Sequence, residues 1–108
     1  MIDYLRIGYR RYTVSEWTQA EVALTSSHGQ CNTGQAAIYV CTDDHPLTVL
    51  DTLLHEILHA VWHEYGLEDK EPEEHAITVL ATGLTQVLYD NPKLAAQISR
   101  LRKAEAKA

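Results

Sequence analysis

The chain lacks the cysteine pattern of a secreted disulfide-rich protein. It has two cysteines in 108 residues, Cys31 and Cys41, and they do not form a C-x-x-C pair. The first residues, MIDYLR, also lack the charged segment followed by an apolar segment that marks a secretory signal. Two thiols in such a chain favour reduced, partly buried side chains, with a disulfide across a hairpin as the alternative. We therefore expect a cytoplasmic protein.

Long apolar runs and an excess of positive charge are missing as well. No segment has the length and hydrophobicity of a bilayer span, so no membrane partner is expected. The formal net charge is −6, which argues against a surface that follows nucleic-acid phosphates. The basic residues between 93 and 107 are interpreted as a solvated helix face. Composition and length fit one globular domain over residues 1–108.

What the sequence does contain is His55-Glu56-Ile57-Leu58-His59, inside an apolar helical pattern. A helix turns by about 100° per residue, so His55 and His59 lie one above the other, close enough to bind one metal ion, with Glu56 beside them. This H-E-x-x-H arrangement indicates a zinc site with a carboxylate general base for peptide hydrolysis. The alternative is a half-buried helix whose histidines merely pack or meet solvent. Burying these groups without a metal or other partner would be costly.

The N-terminal half favours strands. Residues 1–15 predict one long, kinked strand with a bulge or bend at Gly8, and residues 16–25 fit neither the helix nor the strand period. Two turn-forming segments, 26–29 and 32–35, enclose a short candidate strand. Residues 36–41, AAIYVC, give the clearest strand and complete a hairpin. His28 has no partner at a diagnostic spacing and is assigned to a loop.

The C-terminal half predicts three helices. Asp44 is the expected N-cap of the first, with Pro46 in its first turn, and this helix runs from about residue 47 to 65 and ends at Gly66. The second begins at Pro72 and runs to about residue 89, and the third covers 93–108. The predicted fold is α+β, a small twisted sheet of three or four strands packed on the motif helix. The second helix is expected to close the site from the other side.

A zinc peptidase site needs a third protein ligand and an open position for water. If the apolar stripe of the second helix is centred on Ile77, His75 points about 160° away, whereas Glu73 and Glu74 lie about 40° and 60° to either side. Geometry does not separate the two glutamates. We favour Glu74, with Glu73 as the alternative, because small or polar residues follow on its side of the helix: Thr78, Ala81 and Thr85.

Two further motif-helix residues are given supporting roles. His63 follows His59 by one turn but lies roughly 12 Å along the axis from His55, too far to share one ion with it easily. We therefore expect His63 at the surface or in support of the site. Trp62 is expected to pack rather than to contact substrate.

Residues 51–92 resemble the small metallopeptidase-like proteins often encoded in bacteriophage genomes and, more broadly, minimal single-domain gluzincin zinc peptidases. The resemblance rests on DTLLHEILHAVWHEYGL and EEHAITVLATGLTQVLYDNP and covers about the C-terminal half. It implies a zincin-like domain in which His55, His59 and Glu74 bind zinc and Glu56 is general base and acid. It also implies that an edge strand, here residues 36–41, binds an extended peptide. The third histidine of metzincins is missing, and the oxyanion-stabilising residue is left open among Tyr65, His63 and His75.

The leading functional expectation is a zinc-dependent peptidase acting on a peptide or protein substrate. A second reading is a zincin-fold binding or regulatory protein that holds zinc and cleaves little or nothing. A third is a purely structural zinc with a fourth ligand from Cys41 or His75. The sequence does not indicate the substrate or the oligomeric state.

Overall fold

A computed structural model describes residues 1–68 and 70–106, apart from the side chains of Glu73, Glu74 and Ile77. The predicted α+β class is confirmed, with four strands in one sheet and four helices in this described part. In chain order the elements are β1 (Tyr4–Ile7), β2 (Arg10–Trp17), α1 (Gln19–Thr25), β3 (Gly29–Asn32), β4 (Ala37–Cys41), α2 (Pro46–Glu64), α3 (Glu73–Asp90) and α4 (Pro92–Ala106).

The single long first strand predicted for residues 1–15 is wrong, because the chain reverses at Gly8 and Tyr9. β1 and β2 form an antiparallel hairpin in which Ile7 pairs with Arg10. Gly8 has a φ of +63°, and a glycine with positive φ at the first central position of a two-residue loop is the pattern of a type II′ hairpin turn. Gly8 therefore marks a chain reversal rather than a bulge.

The sheet order is β1-β2-β4-β3, so the assignment of residues 36–41 to an edge strand is wrong. β4 is a central strand that pairs in parallel with β2 and antiparallel with β3. Its nearly continuous apolar run fits this position, because a central strand covered on both faces has little polar surface to present. Among the described residues the edges of the sheet are β1 and β3.

The core lies between one face of the sheet and the helices. Side chains from β1, β2 and β4 meet the apolar stripe of α2, and the largest fully buried ones include Tyr12, Ile38, Leu53 and Ile57. The predicted packing of the sheet on the motif helix is thus confirmed. No helix within residues 1–68 and 70–106 combines the length and hydropathy that a bilayer crossing requires.

Side-chain amides from the end of α3 occupy the outer edge of β1. The amide N–H of Arg6 donates to Oδ1 of Asn91 at 2.9 Å, and Nδ2 of Asn91 donates back to the Arg6 carbonyl at 2.9 Å. The amide N–H of Gly8 donates to Oε1 of Gln86 at 2.8 Å. These bonds satisfy backbone groups that an edge strand would otherwise offer to another strand.

Residues 16–25, which fitted neither period, contain the end of β2 and the short helix α1. Thr18 and Glu21 form a capping box at the start of α1, and this local device explains the change from strand to helix. The predicted third helix reaches Ala106 in the structure, and its last two predicted residues, 107 and 108, lie outside the described residues.

The motif helix begins and ends close to its predicted limits, but its cap is different. Nδ1 of His45, rather than Asp44, accepts the amide N–H of Leu47 at 3.1 Å. The carboxylate of Asp44 instead accepts hydrogen bonds from Nδ1 of His28 at 2.7 Å and from Nε2 of Gln19 at 3.1 Å. His28 lies in the loop before β3, as predicted, and its hydrogen bond to Asp44 ties this loop to the turn before α2.

Candidate metal centre

Successive turns of α2 bring His55 and His59 together. Their Nε2 atoms are 3.1 Å apart, and both rings are on the exposed side of the helix. Two nitrogens bound to one tetrahedral zinc ion at 2.0–2.1 Å would be separated by about 3.3 Å. The pair therefore has nearly the spacing that one shared zinc ion requires. The same distance also fits a hydrogen bond between the two rings when one Nε2 carries a proton.

Glu56 stands beside this pair and is 7% exposed. One ligand atom from each of His55, Glu56 and His59 lies within 4.8 Å of the others. No hydrogen-bond donor contributes to the pKa of the Glu56 carboxyl, and the described residues contain no fully enclosed side-chain oxygen without a partner, so the Glu56 oxygens still reach solvent. Burial raises the pKa of this carboxyl, and the charges of the two histidines oppose the shift. Such a carboxylate accepts a proton more readily than a fully hydrated one.

A cavity of about 500 Å³, called the cleft below, lies between α2 and β3. On the α2 side it is lined by His55, Glu56, His59, Trp62 and His63, and on the β3 side by Gln30 and Cys31, together with Thr33 in the β3–β4 turn. The two histidines and the glutamate therefore face an open space with an edge strand opposite them.

Gly29 allows β3 to approach α2 this closely. A Cβ atom at this position would stand 2.6 Å from Cγ2 of Thr52, 2.8 Å from the carbonyl oxygen of Tyr39 and 3.2 Å from Oε2 of Glu56. Any side chain here would push the strand away from the helix. Glycine is thus required by close approach rather than by an unusual backbone angle.

Among the described residues, His55, Glu56 and His59 form the one group of three or more side chains gathered tightly enough to hold a metal ion. No family model, curated protein or solved structure matches this chain. The resemblance to gluzincins therefore stays a prediction, and the interpretation of the site depends on its own geometry.

The third-ligand prediction falls on residues whose side chains lie outside the described part of the structure. The backbone of Glu73 and Glu74 forms the first turn of α3, and the preference for Glu74 stays a prediction. His75 is exposed, and its Nε2 atom lies 3.7 Å from Oε2 of Glu71. α3 packs closely on α2, since a Cβ atom at Gly83 would collide with the side chain of Val61.

Sequence reasoning missed how β3 completes the site. Cys31 is half-buried in the cleft, and no local signal pointed to it because β3 reaches α2 through its hairpin with β4. Trp62 is half-buried and lines both the cleft and an adjoining apolar cavity of about 410 Å³, and its role in packing rather than substrate contact stays a prediction. Both cysteines are free, which confirms the preferred reading over a disulfide.

The structure gives less support to Cys41 as a zinc ligand and to Tyr65 as the oxyanion-stabilising residue. Cys41 has no exposed surface and does not line the cleft, so it is badly placed as a fourth ligand of a structural zinc. The hydroxyl of Tyr65 donates to Oε1 of Gln86 at 3.2 Å, and Tyr65 does not line the cleft either. His63, which does line the cleft, is the better placed of the oxyanion candidates.

Proposed function

We propose that this protein is a zinc-dependent metallopeptidase of the gluzincin type. The observation that carries the proposal is the pair of Nε2 atoms 3.1 Å apart on His55 and His59, next to the largely buried carboxylate of Glu56, which borders the cleft. Two imidazoles and a carboxylate from the next helix form a donor set that zinc accepts. His55 and His59 would hold the ion together with Glu74.

The chemistry follows from the positions of these groups. Zinc bound there supplies Lewis-acid polarisation of the scissile carbonyl and acidifies the attacking water. With the metal bound, Glu56 would take the proton from the attacking water as the water oxygen bonds to the carbonyl carbon, and it would pass this proton to the amine nitrogen as the C–N bond breaks. Desolvation of Glu56 suits this task, because it makes the carboxylate a stronger base.

The structure suggests where a peptide would lie. The outer edge of β3 borders the cleft, and no described strand pairs with it. An extended peptide could add to this edge through backbone hydrogen bonds and bring one carbonyl near the two histidines. We therefore propose β3, instead of residues 36–41, as the strand that pairs with the substrate peptide. The opposite edge of the sheet, β1, already has its backbone groups bonded to Asn91 and Gln86.

The position of Glu56 favours a catalytic metal over a purely structural one. A structural zinc site has four protein ligands and no open position. Here the described ligand group has two histidines and a carboxylate that borders an open cleft. A carboxylate whose pKa is raised by burial, yet which borders an open cleft, is placed to exchange a proton with a molecule bound there.

The proposal is tested by digestion of a broad peptide library with zinc-loaded wild-type protein, with and without a chelator. We expect specific cuts that the chelator abolishes and that Glu56→Gln cannot make, while this variant still binds zinc because both histidines remain. Cleavage by Glu56→Gln at the wild-type rate would disprove the mechanism. Zinc binding without any cleavage by the wild type would favour the binding or regulatory reading.

A further inference from the structure

A second buried carboxylate lies at the end of the motif helix. Glu64 is the last residue of α2, and its side chain is 3% exposed. A negative charge is unfavourable at a helix C-terminus, where the helix dipole is already negative. The reason for Glu64 at this position must therefore lie in its contacts with other elements.

Two residues of β2 hold this carboxylate. The hydroxyl of Tyr12 donates to Oε2 of Glu64 at 2.6 Å, and NH1 of Arg10 donates to the same oxygen at 2.9 Å. The Glu64 carboxylate and burial raise the pKa of the Tyr12 hydroxyl, with burial the larger cause, so Tyr12 stays a donor throughout the physiological range. β2 and the end of α2 are thus joined by two short, charge-assisted hydrogen bonds.

Arg10 also reaches a third element. The same NH1 nitrogen donates to the carbonyl oxygen of Thr33 at 2.8 Å. Thr33 lies in the β3–β4 turn and lines the cleft. One nitrogen of Arg10 therefore connects the C-terminal end of α2 to the turn that follows β3, and these two elements form opposite walls of the cleft.

We propose that Arg10 is a positioning residue that sets the width of the cleft by holding the β3–β4 turn against the end of α2. The inference rests on the proposed function, since it concerns access of a peptide to the same cleft. The walls then meet at two points, where Gly29 lies against Glu56 and where Arg10 joins Thr33 to Glu64. Tyr12 strengthens the Glu64 end but makes no bond to the turn.

The protein contains its own reporter of cleft width. Cys31 lies on the β3 wall, and burial raises the pKa of its thiol to about 11. Its reaction with a thiol reagent should therefore be slow unless β3 moves away from α2. Cys41, with no exposed surface, reacts when the whole domain unfolds and so monitors global stability in the same sample.

The experiment compares labelling rates of Cys31 and Cys41 in wild type, Arg10→Met, Arg10→Lys and Tyr12→Phe. We expect Arg10→Met to raise the labelling rate of Cys31 about tenfold, because loss of a charge-assisted hydrogen bond makes local opening of the cleft easier. The labelling rate of Cys41 should not rise to match. Arg10→Lys should keep the wild-type labelling rate of Cys31, since a single nitrogen of Arg10 makes the bonds to both Thr33 and Glu64. Tyr12→Phe removes one bond to Glu64 but leaves the turn attached, so its Cys31 rate should stay near that of wild type.

Equal rises at Cys31 and Cys41 in Arg10→Met would show a general loss of stability and overturn the proposal. An unchanged Cys31 rate in that variant would overturn it as well. Should Arg10→Met not fold, Arg10→Ala takes its place under the same two criteria, because a methyl side chain has no donor for either oxygen.

A binding measurement on zinc-loaded protein connects the cleft to substrate. Acetohydroxamate, which needs the metal alone, should bind wild type and Arg10→Met equally. A tripeptide hydroxamate that extends along β3 should bind Arg10→Met about fivefold more weakly or worse. Equal tripeptide affinity would reject the positioning role. Failure of wild type to bind acetohydroxamate would reject the proposed function and leave the Cys31 result as an independent test of cleft width.

Discussion

Gly29 lies so close to Glu56 that a Cβ atom at position 29 would stand 3.2 Å from Oε2 of the carboxylate. The glycine belongs to the edge strand and the glutamate to the motif helix. Glu56 is 7% exposed, and both residues line the cleft. A feature of the strand thus sets the environment of the proposed general base.

Replacement of Gly29 by alanine tests this contact. The new methyl group meets the backbone carbonyl of Tyr39 as well as the side chain of Thr52, so β3 must shift, and we expect a loss of about 1–3 kcal/mol in the free energy of unfolding. Urea denaturation measures it. Gly34→Ala is the matched control, because a Cβ atom at Gly34 meets one atom at an ordinary distance of 3.4 Å. Equal stability of the two variants would contradict the close approach.

The histidine pair and its helix could be predicted because all their determinants are local. An i, i+4 spacing fixes the relation of His55 to His59 whatever surrounds the helix. Pro46 and Gly66, which has a φ of +72°, bound the helix by local backbone chemistry. The predicted limits therefore lie within about two residues of those observed.

The opposite wall of the cleft could not be predicted in the same way. Its position depends on the parallel pairing of β2 with β4, which joins residues more than twenty positions apart and has no local signature. The one available clue was the apolar run in residues 36–41, which is typical of a central strand rather than an edge. The Gly8–Tyr9 turn likewise carried a type II′ signal that the alternation of neighbouring residues concealed.

The Asp44–His28 pair predicts a specific pH dependence. The hydrogen bond from His28 lowers the pKa of the Asp44 carboxyl from its ordinary value of 3.8, with smaller contributions from Gln19 and Cys41. A lowered folded-state pKa adds stability above the unfolded-state pKa, and this stability is lost as the pH falls through the folded-state value. Asp44→Asn should therefore be less stable than wild type by about 0.2–1 kcal/mol at pH 6, with the gap closing below pH about 4.

Thermal unfolding of both proteins between pH 3 and pH 7 measures this gap. Asp43→Asn is the control, since Asp43 accepts a backbone N–H from Gln19 and has no histidine partner among the described residues. A gap for Asp44→Asn that widens toward low pH would show that the sign of the argument is wrong.

The third zinc ligand is tested by comparing Glu74→Ala with Glu73→Ala. Loss of a true ligand should weaken zinc binding by at least about 100-fold, because even groups that merely support a ligand contribute 10–100-fold. We expect this loss for Glu74→Ala and little change for Glu73→Ala. Competition with a chromophoric chelator measures both affinities. The reverse result would assign the ligand to Glu73, and unchanged binding in both would exclude this part of α3.

The most direct test of the metal centre is the zinc content of wild type, His59→Ala and His63→Ala, each purified without chelator or metal-affinity resin and then dialysed against zinc. His63 is a matched control, because it follows His59 by one turn on the same helix and its side chain is 54% exposed. The proposed site predicts about one zinc ion per chain in wild type and His63→Ala, and almost none in His59→Ala. Equal zinc in all three proteins, or none in wild type, would show that the 3.1 Å contact between His55 and His59 is a hydrogen bond between two rings and not a metal site.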